Sequence, residues 1–159
     1  MMSRPTDEVY TMRRGRRADR MKSTPHTRGV KPLRVDSITY ALSLLFGDNY
    51  YVRYKLPGTD IDFIAYDRGS DELIAVEVKT KVDEENIDKV ILQLDFRRHI
   101  ANRVYLAVPE RDIYYTLMMV PIEYGVLGVA GYNVTVYRRS RYFNPSHAKW
   151  IKQLLFGAE

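Results

Sequence analysis

The chain has no cysteine, which excludes a disulfide framework, a thiolate-ligated zinc or iron–sulfur centre and any thiol nucleophile. Its three histidines, His26, His99 and His147, stand far apart and do not suggest a histidine-rich metal site. No apolar run approaches the ~18 residues needed to cross a bilayer, and the opening residues are basic and polar rather than signal-like. A glycine-rich phosphate-cradling loop is also missing, and neither Ser70 nor Ser140 has a base partner in the sequence. These absences predict a soluble, cytoplasmic protein. The 159 residues are 45% hydrophobic, enough for a single domain with a sizeable core.

Positive charge is present but unevenly spread. Residues 1–34 hold ten Lys/Arg against three acids, a charge of +7, whereas the remaining 125 residues hold 15 basic and 17 acidic groups, a charge of −2. Residues 1–32 have few aliphatic side chains, three prolines and the run Arg13-Arg14-Gly15-Arg16-Arg17. Such a segment buries too little surface to offset the entropy of ordering, which predicts a disordered basic arm suited to a polyanion.

From Leu33 the pattern becomes that of one folded domain over residues 33–159. Asp36 or Ser37 is a candidate cap for a helix through Ile38, Ala41, Leu42, Leu45 and Phe46, stopped at Gly47. Residues 50–56 alternate as a strand ending at Pro57-Gly58. Residues 60–66 and 73–79 flank a polar loop and predict a β-hairpin. Ile87, Val90, Ile91 and Leu94 set a helical period over 84–100, and the apolar run 103–108 reads as a buried strand. A short helix over 111–119, strands over 124–129 and 133–137, and a helix over 146–156 with Lys149 and Lys152 outward complete the chain. The expected fold class is α/β, a central mixed β-sheet in αβββαβ order flanked by helices.

Chemistry concentrates on the hairpin. Residues two apart in a strand share a face, which pairs Asp60 with Asp62 and Glu77 with Lys79. If the loop is centred between Gly69 and Ser70, facing positions sum to 139, so Asp62 faces Glu77 and Asp60 faces Lys79. Directly opposed positions bring Cβ atoms to ~4.5–5.5 Å, where two carboxylates repel. An ordinary hairpin with one wet face would account for alternating charge. The strand at 73–79, however, leads through a helix to a buried strand and is therefore interior, where unpaired charge is costly. A divalent cation relieves both difficulties, and oxygen donors without sulfur favour Mg²⁺ or Mn²⁺.

Asp62 with Glu77-Val78-Lys79 in the next strand resembles the PD-(D/E)XK nuclease superfamily, the restriction-endonuclease-like group that includes small archaeal resolvases and DNA-repair nucleases. The stretch Gln93-Leu-Asp-Phe-Arg97 and the run from Ala101 to Pro109 are similar to the segment after the catalytic strand in many members. The resemblance covers roughly residues 34–137. It implies a metal-dependent DNA endonuclease of repair, recombination or restriction, with Asp62, Glu77 and the Val78 carbonyl holding Mg²⁺ (Mn²⁺ substituting). It further implies that Lys79 orients water or stabilises phosphorane charge and that Gln93 positions water or phosphate. Many relatives are dimers, which makes a homodimer an expectation.

The chain departs from the family pattern at three places. Ile61 replaces the proline expected before the catalytic acid, which keeps Asp60 as an alternative to Asp62, although the hairpin register favours Asp62. No Glu lies on the first helix; Asp36 is the nearest substitute. Arg97 stands where relatives often place Tyr, and Lys89, Gln93 and Arg97 at i, i+4 and i+8 form a stripe suited to a phosphate track. The expected DNA contacts are therefore Arg13, Arg14, Arg16, Arg17, Lys89 and Arg97, with RNA an open alternative to DNA. The competing expectation is a non-catalytic nucleic-acid-binding protein that keeps the fold while the arm does the work.

Overall fold

The computed structural model describes residues 33–56 and 59–158. The expected arm over 1–32, with Arg13, Arg14, Arg16 and Arg17, lies outside the described residues, as do Pro57 and Gly58. Among the described residues, no helix is long and apolar enough to cross a membrane.

Helix α1 (Val35–Phe46) is followed by strands β1 (Tyr50–Leu56), β2 (Thr59–Asp67) and β3 (Glu72–Val78), then helix α2 (Ile87–Arg97) and strand β4 (Arg103–Pro109). A 3₁₀ turn (Glu110–Asp112), helix α3 (Ile113–Met119), strands β5 (Gly125–Ala130) and β6 (Asn133–Arg138), and helix α4 (Ser146–Phe156) complete the chain. The fold is α/β: six strands form one mixed sheet in the order β1-β2-β3-β4-β5-β6. β1–β2, β2–β3 and β5–β6 pair antiparallel, whereas β3, β4 and β5 are parallel.

Alternation in the central strands builds two cores. Leu73 and Ala75 of β3, with Val104, Leu106 and Val108 of β4, pack on Ile87, Val90 and Leu94 of α2, on Ile113 of α3 and on Ala148 and Ile151 of α4. Ile74, Val76, Tyr105 and Ala107 point to the other face, where Val35, Ile38 and Leu42 of α1 cover them. Each fully buried Ile or Leu there removes enough apolar surface to contribute about 1.5–3 kcal/mol.

Several local expectations are corrected. α1 starts at Val35 without a side-chain cap, because the cap position is Arg34, whose side chain has no acceptor; the Asp36 carboxylate lies inside the first turn and is bound by Arg53 at 2.6 and 2.9 Å. α2 starts at Ile87 rather than 84, since Asp83 and Asn86 exchange side-chain-to-backbone bonds that hold a turn ahead of it. Leu45 and Leu154 are exposed. Lys152 turns inward and donates to the Asp71 carbonyl at 2.7 Å, pinning α4 to the β2–β3 turn.

Gly125 of β5 faces Tyr105 of β4 at a point with no room for a side chain. A Cβ there would lie 2.3 Å from a Tyr105 ring carbon and 2.7 Å from the Ser140 backbone nitrogen. Because one obstacle is backbone, Gly125→Ala is expected to cost about 1–3 kcal/mol, read as a lower midpoint in urea unfolding; an unchanged midpoint would show that the β4–β5 contact yields freely.

Candidate functional site at the end of the hairpin

The β2–β3 ladder runs Asp67↔Glu72, Tyr66↔Leu73, Ala65↔Ile74, Ile64↔Ala75 and Phe63↔Val76, so every pair sums to 139, the register expected from the loop. Asp62 and Glu77 lie one step beyond the last pair. There the Asp62 Oδ2 accepts a hydrogen bond from the Val78 backbone N–H at 2.8 Å, fixing that carboxylate across the end of the ladder.

Glu77 is buried and held by two cations. The Arg97 guanidinium donates to Oε1 at 2.9 Å, and the Lys79 Nζ lies 3.4 Å from Oε2. Arg97 also donates to the Thr59 hydroxyl at 2.7 Å and to the Asp60 carbonyl, tying the C-terminal end of α2 to the start of β2. Its side chain is only 3% exposed. The phosphate-track expectation is not met by Arg97, whose two Nη atoms are engaged by protein acceptors and whose buried Nε has no hydrogen-bond partner among the described residues. Lys89 alone of that stripe is exposed, with Gln93 half-buried between them.

Asp60 does not face Lys79. β3 ends at Val78, and Asp60 is exposed and paired with Lys55 at 3.2 Å. Nor do Asp60 and Asp62 sit on one regular face. Ile61 joins the core under α2, whereas Phe63 joins the core under α1, so the strand turns over at Asp62. The partner strand shows the cause: Arg53 has a left-handed backbone (φ 52°), and the pairing steps from Val52↔Phe63 to Tyr54↔Ile61 around it. A β-branched or bulky alternation pattern gives no warning of such a residue. Of the two candidate acids, the kinked Asp62 is the one brought beside Glu77.

Lys55, Leu56, Thr59, Asp60, Asp62, Glu77, Gln93 and Arg97 line a cavity of about 580 Å³. Burial, then the adjacent Glu77 carboxylate, push the Asp62 carboxyl up to about 6, against relief from the Val78 N–H, Lys79 and Arg97. Asp62 is thus the group in this cavity short of positive charge. Gln93 contributes a buried side-chain oxygen without a hydrogen-bond partner among the described residues. Two carboxylates and an unpaired amide oxygen form a hard-oxygen donor set that fits one small divalent ion through Asp62 and Glu77. Among the described residues, no three His, Cys, Asp or Glu side chains gather as a metal-binding group.

Sequence reasoning missed the inward role of Arg97, although a signal existed. Ile87, Val90, Leu94, Arg97 and Ala101 keep the alternating three- and four-residue spacing of a buried helical stripe, and all five are buried. It also missed Asn102, which is buried, accepts from the Leu73 N–H and donates to the Phe143 carbonyl, bracing the β3 strand that carries Glu77.

No family model matches this chain, and no curated protein matches it. Among solved structures, the chain is similar to SPO1766, a protein of unknown function from Silicibacter pomeroyi, with a TM-score of 0.59 and 16% sequence identity over 80% of this chain and 86% of that one. At that identity the likeness establishes a shared α/β fold.

Proposed function

We propose that the protein is a metal-dependent DNA nuclease of the PD-(D/E)XK type, hydrolysing phosphodiester bonds at Asp62 and Glu77. The observation that carries this reading is the placement of two carboxylates at the end of the β2–β3 hairpin, one of them protonated unusually easily, beside Lys79 and the unpaired Gln93 oxygen. Asp62, Glu77 and the Val78 carbonyl would hold Mg²⁺, or Mn²⁺ in its place. The ion would supply charge neutralisation at phosphorus and a more acidic water. Lys79, partly in solvent, stabilises negative charge that develops on the phosphoryl oxygens. Gln93, an acceptor at the cavity wall, orients a water through one of its protons. Arg97, whose Nη atoms are held by Thr59, the Asp60 carbonyl and Glu77, acts as a positioning residue for Glu77.

DNA fits the excess positive charge of residues 1–34, which gives affinity without sequence reading. A second reading, a DNA-binding protein without catalysis, draws on the two cations already on Glu77, which leave less of that carboxylate for a metal. Labelled linear, nicked, single-stranded and four-way-junction DNA with Mg²⁺ or Mn²⁺, wild type beside Glu77→Gln, separates the two. Cleavage by wild type alone is the expected result; shifted bands with no product on any substrate would favour the binding protein.

A further inference from the structure

Asp62 is the wall between two cavities. Besides the one shared with Glu77, a second of about 410 Å³ is lined by Leu33, Arg34, Val35, Asp36, Arg53, Asp62 and Val78. The two open on opposite sides of the sheet end, one toward α2 and the other toward the first turn of α1, and Asp62 is the residue common to both.

We infer that the second cavity is a phosphate subsite for the strand flanking the scissile bond, with Arg34 and Arg53 as its contacts. The existence of a scissile bond rests on the nuclease reading; the binding of phosphate at this cavity does not. Three observations converge. The Arg34 guanidinium has no ion-pair or hydrogen-bond partner among the described residues. Arg53 keeps a left-handed backbone (φ 52°) that is unfavourable for a non-glycine residue and persists only where the surroundings enforce it. Its two bonds to Asp36 fix the guanidinium at the cavity while leaving N–H donors unused. Finally, Arg34 is the last of the ten basic residues in the stretch 1–34, which carries a charge of +7, and it stands at the start of α1 in the wall of this cavity. A strand crossing Asp62 would set one phosphate over Asp62 and Glu77 and the next against the two arginines. A small anionic substrate would need one cavity alone.

The test uses the full-length protein and a short fluorescein-labelled DNA duplex. Affinity is measured by anisotropy across a salt series with no divalent metal present, so that cutting is silent. Arg34→Gln removes a charge from an exposed side chain. Arg53→Asn removes the other while keeping a residue that tolerates the left-handed backbone. Each variant is expected to bind several-fold more weakly and to lower the slope of log affinity against log salt by about 0.9, the signature of one lost phosphate contact. In cleavage with Mg²⁺, each is expected to raise KM while kcat stays within about twofold. A purely structural role would shift melting and leave the salt slope untouched. Unchanged affinity and slope in both variants would overturn the subsite. Wild type that binds with the full slope, loses it in the variants and yet never cuts would support the subsite and overturn the nuclease reading.

Discussion

Asp62→Asn is expected to abolish cleavage and at the same time to stabilise the protein at neutral and alkaline pH. The two effects share one cause. The Asp62 carboxyl titrates near 3.8 in an unconstrained chain and near 6 in the fold, because burial and Glu77 disfavour its charge. Below about 4 both states are protonated and Asp62 costs nothing. As pH rises through 6 the folded carboxyl must ionise in unfavourable surroundings, so stability is progressively lost. Asparagine keeps an oxygen to accept the Val78 N–H but carries no charge. Its melting temperature should therefore exceed that of wild type at pH 8 and converge with it near pH 4. Cleavage should fall at least about a hundredfold, as for loss of a metal-supporting group. The same titration predicts that Mn²⁺, monitored calorimetrically with wild type, binds more tightly as pH rises through about 6 and releases protons when bound below it. A variant that melts lower than wild type at pH 8, or still cuts, would remove Asp62 from the site.

Arg97→Met is expected to be the most destabilising exchange at the site, by about 3–5 kcal/mol in chemical unfolding. It leaves Glu77 buried with Lys79 as its one cation and strips the Asp60 carbonyl and Thr59 hydroxyl of their donor. Glu77→Gln is also costly, since it leaves a buried guanidinium without a counter-charge. The double exchange Glu77→Gln with Arg97→Met should cost clearly less than the two separately, because neither charge is then stranded. Additive losses, or an Arg97→Met protein within about 0.5 kcal/mol of wild type, would show that the pair does not hold the site together.

Much of this arrangement was legible in the sequence, and the reason lies in periodicity. Alternation in 60–66 and 73–79 fixes which residues share a face, and a polar loop of known length fixes the register; hence Phe63 meets Val76 and Asp62 arrives beside Glu77. The helical period similarly places α2 over the sheet. Periodicity carries no information about a single residue that breaks it. The left-handed Arg53 turns β2 over between Ile61 and Phe63 and separates Asp60 from Asp62, and nothing in the residue type Arg announces a positive φ. Charge is misleading in the same way. Arg97 and Lys152 read as solvent-facing because cations usually are, yet both are buried, each reaching acceptors on an element distant in the chain.

The strand order has a kinetic consequence. Every strand lies beside its sequence neighbours, so the β2–β3 hairpin closes a short loop at little entropic cost, on the ~1–10 μs scale of such events. A hairpin formed at that step brings Asp62 beside Glu77, with Lys79 carried along just past the end of β3. Arg97 can arrive only after the α2 crossover has docked. With that order of events the two carboxylates meet before Arg97 reaches Glu77, and the repulsion between them favours the docking of α2 that relieves it.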